Sequence, residues 1–296
     1  MEAWQAFILG IIEGITEYLP VSSTGHLLVA QHVMGIGTAN ASDKAAADAF
    51  AICIQGGAIL AVIGLYWKHV LQMIRGVLGQ DEAGFRLVTN ILVGFLPAVV
   101  IGLLFNDWIE ARLFGMWPII MAWILGGVLI LIFSTRARNG SQGSVKKGVD
   151  LIEMSWKMAL LIGLLQCVAM WPGTSRSLMT IAGGLLVGLS VRSAIEFSFL
   201  LGVLTLTAAT VKKALWKVSG VGADYDVWFG GAKLMWDSYG FAPLFIGVAA
   251  ATISAVLAVK WLVRYLQRHG MRPFGYYRIA IGVGMAGLML SGLLEL

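Results

Sequence analysis

Two glutamates, Glu13 and Glu17, stand in an otherwise apolar stretch that runs into Pro20 and then Ser22, Ser23, Thr24, Gly25 and His26. At a spacing of i, i+4 on a helix both carboxylates fall on one face, an arrangement suited to holding a cation or moving a proton. The turn that follows offers hydroxyls and an imidazole, together with free backbone amides where a new helix begins. Much later in the chain the same equipment returns with a guanidinium, in Pro172, Gly173, Thr174, Ser175, Arg176, Ser177 and Thr180. Helix N-termini attract phosphate through their unpaired N–H groups and the macrodipole, and arginine is the side chain best shaped for bidentate contact with phosphate oxygens. These residues therefore suit the handling of a polyanion. Attack on phosphorus could come from Ser23 with His26 or a carboxylate as base, or from His26 itself; a hydroxyl beside a base is the commoner arrangement.

Keeping such groups among apolar residues is costly. At about 2.5–3.5 kcal/mol per charged side chain in mid-membrane, two carboxylates and Arg176 would together cost about 8–10 kcal/mol unpaired, as much as a whole folding stability. An ion pair that pins two helices, or carboxyls at a wet interface, would also account for them, and either serine-rich turn alone is ordinary capping chemistry. Both turns together with Glu13, Glu17, His26 and Arg176 favour a functional site. His32, His69 and His269 lack a comparable cluster and read as surface residues, and Cys53 and Cys167 read as small apolar side chains. No Walker A loop, GxGxxG fingerprint or HExxH pair is present.

The elements that must position these groups belong to a membrane protein. A chain of 296 residues that is 58% hydrophobic and 12% charged does not have the balance of a soluble domain. Apolar runs long enough to cross hydrocarbon occur around 48–67, 86–105, 116–134, 193–211, 240–262 and 276–294, which predicts six transmembrane helices. The segments around Pro20 and Pro172 behave differently. From Trp4 to Leu19 is about 16 residues, a helical rise of about 24 Å, short of the roughly 30 Å hydrocarbon core. The proline then removes a backbone donor and disfavours helix in the residue before it. Each segment is predicted to be a re-entrant helix-turn-helix hairpin, which survives at membrane depth only where protein or water satisfies its backbone.

The two hairpins repeat. Trp4 and Trp156 stand equally far before their prolines, the hydroxyl-rich turns match as Pro20, Ser22, Ser23 beside Pro172, Thr174, Ser175, and three apolar spans follow each. An odd number of crossings per half inverts the second half, the plan in which sites form near the midplane from broken helices. The expected organisation is all-α and a single membrane domain over 1–296, with repeat one at 1–134, an exposed linker at 135–149 and repeat two at 150–296. The net charge of +5 is spread over separate loops, which argues against nucleic acid. The basic loops at 68–86, 135–157 and 260–278, the last including Arg278, fall on one side and are predicted cytoplasmic. The termini and the loops at 106–115 and 212–239 then face outward, against the pull of Lys212, Lys213 and Lys217, with Tyr225, Trp228, Trp236 and Tyr239 suited to an interface. Broken helices in inverted repeats also equip transporters and flippases, so composition and spacing leave that alternative, and a non-catalytic lipid-binding scaffold, open.

The string EGITEYLPVSSTGH over 13–26, with PGTSRS over 172–177, QGGAILAV over 55–62 and EFSFLL over 196–201, resembles the undecaprenyl-pyrophosphate phosphatase family, the bacitracin-resistance proteins, and the order of apolar segments is similar over essentially the whole chain. The resemblance implies a multi-pass enzyme of the bacterial inner membrane with six spans and two re-entrant hairpins. It also implies hydrolysis of undecaprenyl pyrophosphate to the monophosphate and phosphate, which recycles the carrier lipid for peptidoglycan synthesis, with an active site facing the periplasm, a divalent cation (Mg²⁺ or Ca²⁺) as cofactor, and room for a homodimer. By matching position it implies catalytic roles for Glu13, Glu17, Ser23, His26 and Arg176, substrate contacts from Ser22, Thr24, Ser175, Ser177 and Thr180, and cation binding by Glu13 and Glu17. Ala51, Leu178 and Leu204 depart from the usual family pattern, Ala51 standing where many members carry a carboxylate and Asp48 being the nearest acid.

Overall fold

A computed structural model of the chain describes residues 1–140, 148–215 and 230–292. Among these the architecture is all-helical: α1 (Ala3–Thr16), α2 (Ser23–Val33), α3 (Ala41–Leu65), α4 (Trp67–Val77), α5 (Glu82–Leu113), α6 (Met116–Gly140), α7 (Trp156–Val168), α8 (Arg176–Leu186), α9 (Val191–Leu215), α10 (Gly230–Tyr239), α11 (Phe241–His269) and α12 (Arg272–Leu290). Among the described residues five helices are long and apolar enough to cross a membrane, within Ala41–Leu65, Glu82–Phe105, Met116–Ser134, Val191–Lys212 and Phe241–His269. The remaining predicted span falls on α12, whose 19 residues are diluted by Arg278, two tyrosines and several glycines. Both proline-broken segments are pairs of short helices, α1 with α2 and α7 with α8. In each, the first helix ends four residues before its proline, at Thr16 and at Val168.

Three expectations need correction. The basic stretch at 68–86 is largely the helix α4, and most of 260–278 is the end of α11 and the start of α12, because lysine and arginine sit on one face of otherwise apolar turns. Arg278, grouped with an exposed basic loop, is wholly buried. His69, read as a surface residue, is half-buried with its Nε2 3.9 Å from Glu196, whereas His269 is exposed as expected and stacks on Tyr265. In addition, α6 continues to Gly140, inside the predicted linker. Lys146, Lys147, Lys217, Tyr225 and Trp228 lie outside the described residues, as do the side chains of Arg136, Arg138 and Lys213.

The chain divides into two compact units, each drawn from several stretches. The first comprises Met1–Tyr18, His26–Leu65 and Gly202–Val259. Its core gathers Ala6, Leu9, Leu27, Phe50, Ile54 and Met235. Gly10 and Gly14 form a small-xxx-small pair on α1 that brings it backbone to backbone with α11: a methyl at Gly10 would strike the Gly247 carbonyl, and one at Gly14 would strike Ser254 and the Ala251 carbonyl. Such close approach is how membrane helices gain dispersion energy where lipid supplies no hydrophobic drive. The Tyr18 hydroxyl donates to the Ala58 carbonyl at 2.6 Å, tying the end of α1 to α3.

The second unit comprises Leu19–Gly25, Tyr66–Leu201 and Lys260–Leu296. Here α6 packs on α12 with Gly127 against Gly275, α5 on α7 with Gly94 against Gly163, and α8 on α9 with Gly184 against Ala194. Asn90 of α5 donates to the Met154 carbonyl just ahead of α7 at 2.8 Å. These glycines lie where the helix axes come closest, which is why a side chain there has no room.

Candidate active site

The turn between α1 and α2 and the turn between α7 and α8 are built alike. Each ends on a serine at φ 75°, Ser22 and Ser175, the two non-glycine residues of positive φ among those described. This conformation costs about 1–3 kcal/mol and persists where its surroundings enforce it, often at functional sites. Each serine directly precedes a helix, so Ser23 and Arg176 occupy equivalent first positions. The match is one residue out from the alignment on the prolines, because Gly173 and Thr174 separate Pro172 from its serine whereas Val21 alone separates Pro20 from Ser22. Gly173, at φ 92°, meets the Ile119 carbonyl so closely that a Cβ would collide.

The second unit brings the two turns together. The Ser177 hydroxyl donates to the Leu19 carbonyl at 3.0 Å and lies 3.0 Å from the Ser175 hydroxyl. With its hydrogen committed to Leu19, Ser177 accepts from Ser175. Ser175 in turn caps α8 by accepting from the Leu178 amide at 3.3 Å. An Arg176 Nη1 proton goes to the Ser198 carbonyl at 3.2 Å, while the Thr180 hydroxyl donates to the Arg176 carbonyl at 2.9 Å and lies 2.5 Å from the Ser198 hydroxyl. The start of α8 is thus held against α9 by Ser198. Ser22, Ser23, Ser175, Ser177 and Thr180 are buried, and Thr24 and Arg176 are half-buried.

Three further residues frame the turns, and local sequence did not point to them. Ser198 sits in the EFSFLL string, which marked the segment but not the residue. Trp123 of α6, fully buried, donates through its indole N–H to the Val21 carbonyl at 3.0 Å, with Gly25 packed flat against its ring. Arg278 of α12 donates to four carbonyls: Ala122 and Gly173 at 2.8 Å, Trp123 and Pro20 at 3.3 Å. One guanidinium therefore satisfies carbonyls in both turns and on α6, and the absence of a side chain at Gly126 makes room for it. A guanidinium carries five donors in a fixed fork, and no other side chain could serve so many acceptors at once. The sole signal in the sequence was an arginine two residues into an expected span.

Glu13, Glu17 and His26 belong to the first unit. The Glu17 amide donates to the Glu13 carbonyl at 2.9 Å, so the i, i+4 register holds and both carboxylates share a face of α1. Both are buried, Glu13 to 0% exposure. His26 follows Ser23 by three residues within α2, the register in which side chains share a helix face. Among the described residues no group of three His, Cys, Asp or Glu side chains forms a metal cluster. A carboxylate pair on one helical face still fits a hard cation of the magnesium type, which is commonly held by one or two carboxylates, with water and substrate phosphate completing its shell.

Residues 6–284 match the family described as bacitracin resistance protein BacA. The chain is 42% identical to undecaprenyl-diphosphatase 2 of Rhodospirillum rubrum over 98% of its length and 96% of that protein. It is 40% identical to the undecaprenyl-diphosphatase of Sorangium cellulosum, covering 94% and 84%, and 41% identical to that of Acidovorax ebreus, covering 98% and 96%.

Proposed function

The chain belongs to the bacitracin resistance BacA family, and from that premise we propose that it hydrolyses undecaprenyl pyrophosphate to undecaprenyl phosphate and inorganic phosphate, recycling the carrier lipid for peptidoglycan synthesis and conferring bacitracin resistance. The observation that carries the reading is the pairing of two strained turns in the second unit, where Ser177 reaches the Leu19 carbonyl and the equivalent first positions of α2 and α8 carry Ser23 and Arg176. Two helix N-termini with a guanidinium suit a diphosphate far better than a neutral headgroup.

In this mechanism Arg176 and the α8 amides bind the terminal phosphate, with Ser22, Thr24, Ser175, Ser177 and Thr180 lining its oxygens. The Ser23 hydroxyl attacks the terminal phosphorus while His26 takes its proton; the anhydride P–O bond breaks and undecaprenyl phosphate leaves. Water then attacks the phosphoserine, and phosphate departs as Ser23 recovers its proton. Glu13 and Glu17 would hold a divalent cation, which when bound supplies neutralising charge to the diphosphate. Charge stabilisation by pre-placed donors is the dominant effect in phosphoryl transfer generally.

The membrane arrangement proposed is six crossings, α12 being the sixth, with α1–α2 and α7–α8 as re-entrant hairpins of an inverted repeat in the bacterial inner membrane, the site opening to the periplasm and the protein forming a homodimer. The test is turnover. Purified protein in detergent, given a polyprenyl pyrophosphate and Mg²⁺ or Ca²⁺, should release phosphate, and Arg176→Ala should abolish release while remaining monodisperse. Full turnover by that variant would remove Arg176 from the phosphate site, and no release by the wild type would overturn the activity itself.

A further inference from the structure

Away from the turns, α4 is the most strongly two-faced of the described helices. Its buried side is set by Gly76, where a methyl would strike the backbone of Gly84 and Phe85; Gly84 in turn lies against the Gln72 carbonyl. One turn of α5 thus meets two successive turns of α4, at Gln72 and Gly76. The helix it packs against, α5, carries the long apolar span Glu82–Phe105, and the contact falls at the start of that span. The 11 residues of α4, about 16 Å of helix, are too short to cross the roughly 30 Å core.

The remaining sides of α4 present two stripes. Trp67 and Ile74, seven residues apart, continue to Leu78 just past the helix end, with Val77 at the edge; all four are exposed. Lys68 and Arg75, also seven apart, form an exposed basic stripe about 90° around the axis from the apolar one. The helix carries no carboxylate; of the two acids that follow it, Asp81 caps α5 through the Gly84 amide at 2.8 Å and Glu82 stands in the first turn of α5. The imidazole on α4, His69, is turned toward Glu196 on the packed side. Apolar side chains beside a row of basic ones on a helix without acids of its own is the pattern of a helix lying in the bilayer interface, where lysine and arginine rise to phosphate level and favour anionic lipid.

We propose that α4 is an in-plane interfacial helix whose Lys68 and Arg75 bind the phosphate groups of anionic phospholipids in the leaflet next to the α4–α5 turn, with Trp67, Ile74 and Leu78 among the upper acyl chains. The site is separate from the two turns and does not depend on the phosphatase reading.

Two measurements on the full chain test it. In nanodiscs of phosphatidylcholine and phosphatidylglycerol, nitroxides placed one at a time along 67–78, on a background with Cys53 and Cys167 replaced by alanine, should show oxygen access peaking at 67, 74 and 78 and aqueous-reagent access peaking at 68 and 75. Aqueous access at 74 and 78 equal to that at 75 overturns the interfacial placement. In native mass spectrometry of protein with its native cysteines, the wild type should retain phosphatidylglycerol over phosphatidylcholine, and Lys68→Gln with Arg75→Gln should weaken that retention roughly thirtyfold, about 2 kcal/mol, while Lys68→Arg with Arg75→Lys keeps it. Equal retention of the two lipids by the wild type, or unchanged preference in the double glutamine variant, overturns the headgroup assignment. If the cysteine-free background does not fold, the second measurement decides.

Discussion

Arg278 connects the tertiary structure to the proposed chemistry most directly, because removing its guanidinium unclamps both turns at once. Its two shorter contacts, to Ala122 and Gly173 at 2.8 Å, are charge-assisted. At about 1.5–3 kcal/mol each they contribute about 3–6 kcal/mol together, the longer pair to Trp123 and Pro20 adding less. Arg278→Met keeps most of the volume but takes this donor from the turn carbonyls of Pro20 and Gly173, while those of Ala122 and Trp123 keep their partners within α6, a loss that is still large beside the 5–15 kcal/mol that holds a typical domain folded. That variant should unfold at markedly lower temperature or fail to accumulate. Arg278→Lys is the more informative change. It retains the charge but replaces a five-donor fork with a single ammonium, which cannot serve carbonyls on both turns. If about 1.5–3 kcal/mol of that clamp goes into aligning the turns, turnover falls roughly ten- to hundredfold, with the protein still monodisperse. The assay is phosphate release from a polyprenyl pyrophosphate by purified protein, with gel filtration and thermal unfolding alongside. Wild-type kcat in the lysine variant together with an unchanged Tm in the methionine variant would refute the clamp.

Chelation with EDTA should stop phosphate release, and Mg²⁺ or Ca²⁺ should restore it; Glu13→Gln or Glu17→Gln should raise the cation concentration needed for half-maximal rate at least tenfold, and an unaltered cation dependence in both would remove the carboxylates from that role. Rapid quenching with labelled substrate should trap phosphate on Ser23, sensitive to Ser23→Ala, whereas acid-labile label on His26 would transfer the nucleophile's role to the imidazole. Thr180→Val deletes the hydroxyl linking Ser198 to the Arg176 carbonyl; with a buried partner left unpaired it should cost about 1–3 kcal/mol of stability and lower kcat. An unperturbed Tm and rate would show that Ser198 alone suffices to hold α8.

Much of the site was legible beforehand. The helical register of Glu13 and Glu17, the fresh helix starts after Pro20 and Pro172, and the long apolar helices all follow from rules that act over a few residues: helical period, the missing donor of proline, and the length of apolar chain needed to cross hydrocarbon. Five of the six predicted spans therefore coincide with helices apolar enough to cross a membrane, their ends differing by at most seven residues. What misled was treating basic residues as markers of loops. Lys68 and Arg75 are the polar flank of α4, and Arg278 lies on the packed face of α12, although charge alone does not distinguish the three.

By itself the sequence determined that this is an α-helical membrane protein with two proline-broken pairs of short helices, and that phosphate-suited residues head the second helix of each, because those properties depend on near neighbours along the chain. Only the tertiary structure decided that Ser22 pairs with Ser175 in place of Thr174, that Ser198 and Trp123 hold the turns, and that Arg278 joins them. Each of those outcomes depends on which backbone carbonyls remain unsatisfied once distant helices have packed. In a medium without water such a group must find its donor inside the protein, and the donor's identity depends on which helices lie alongside.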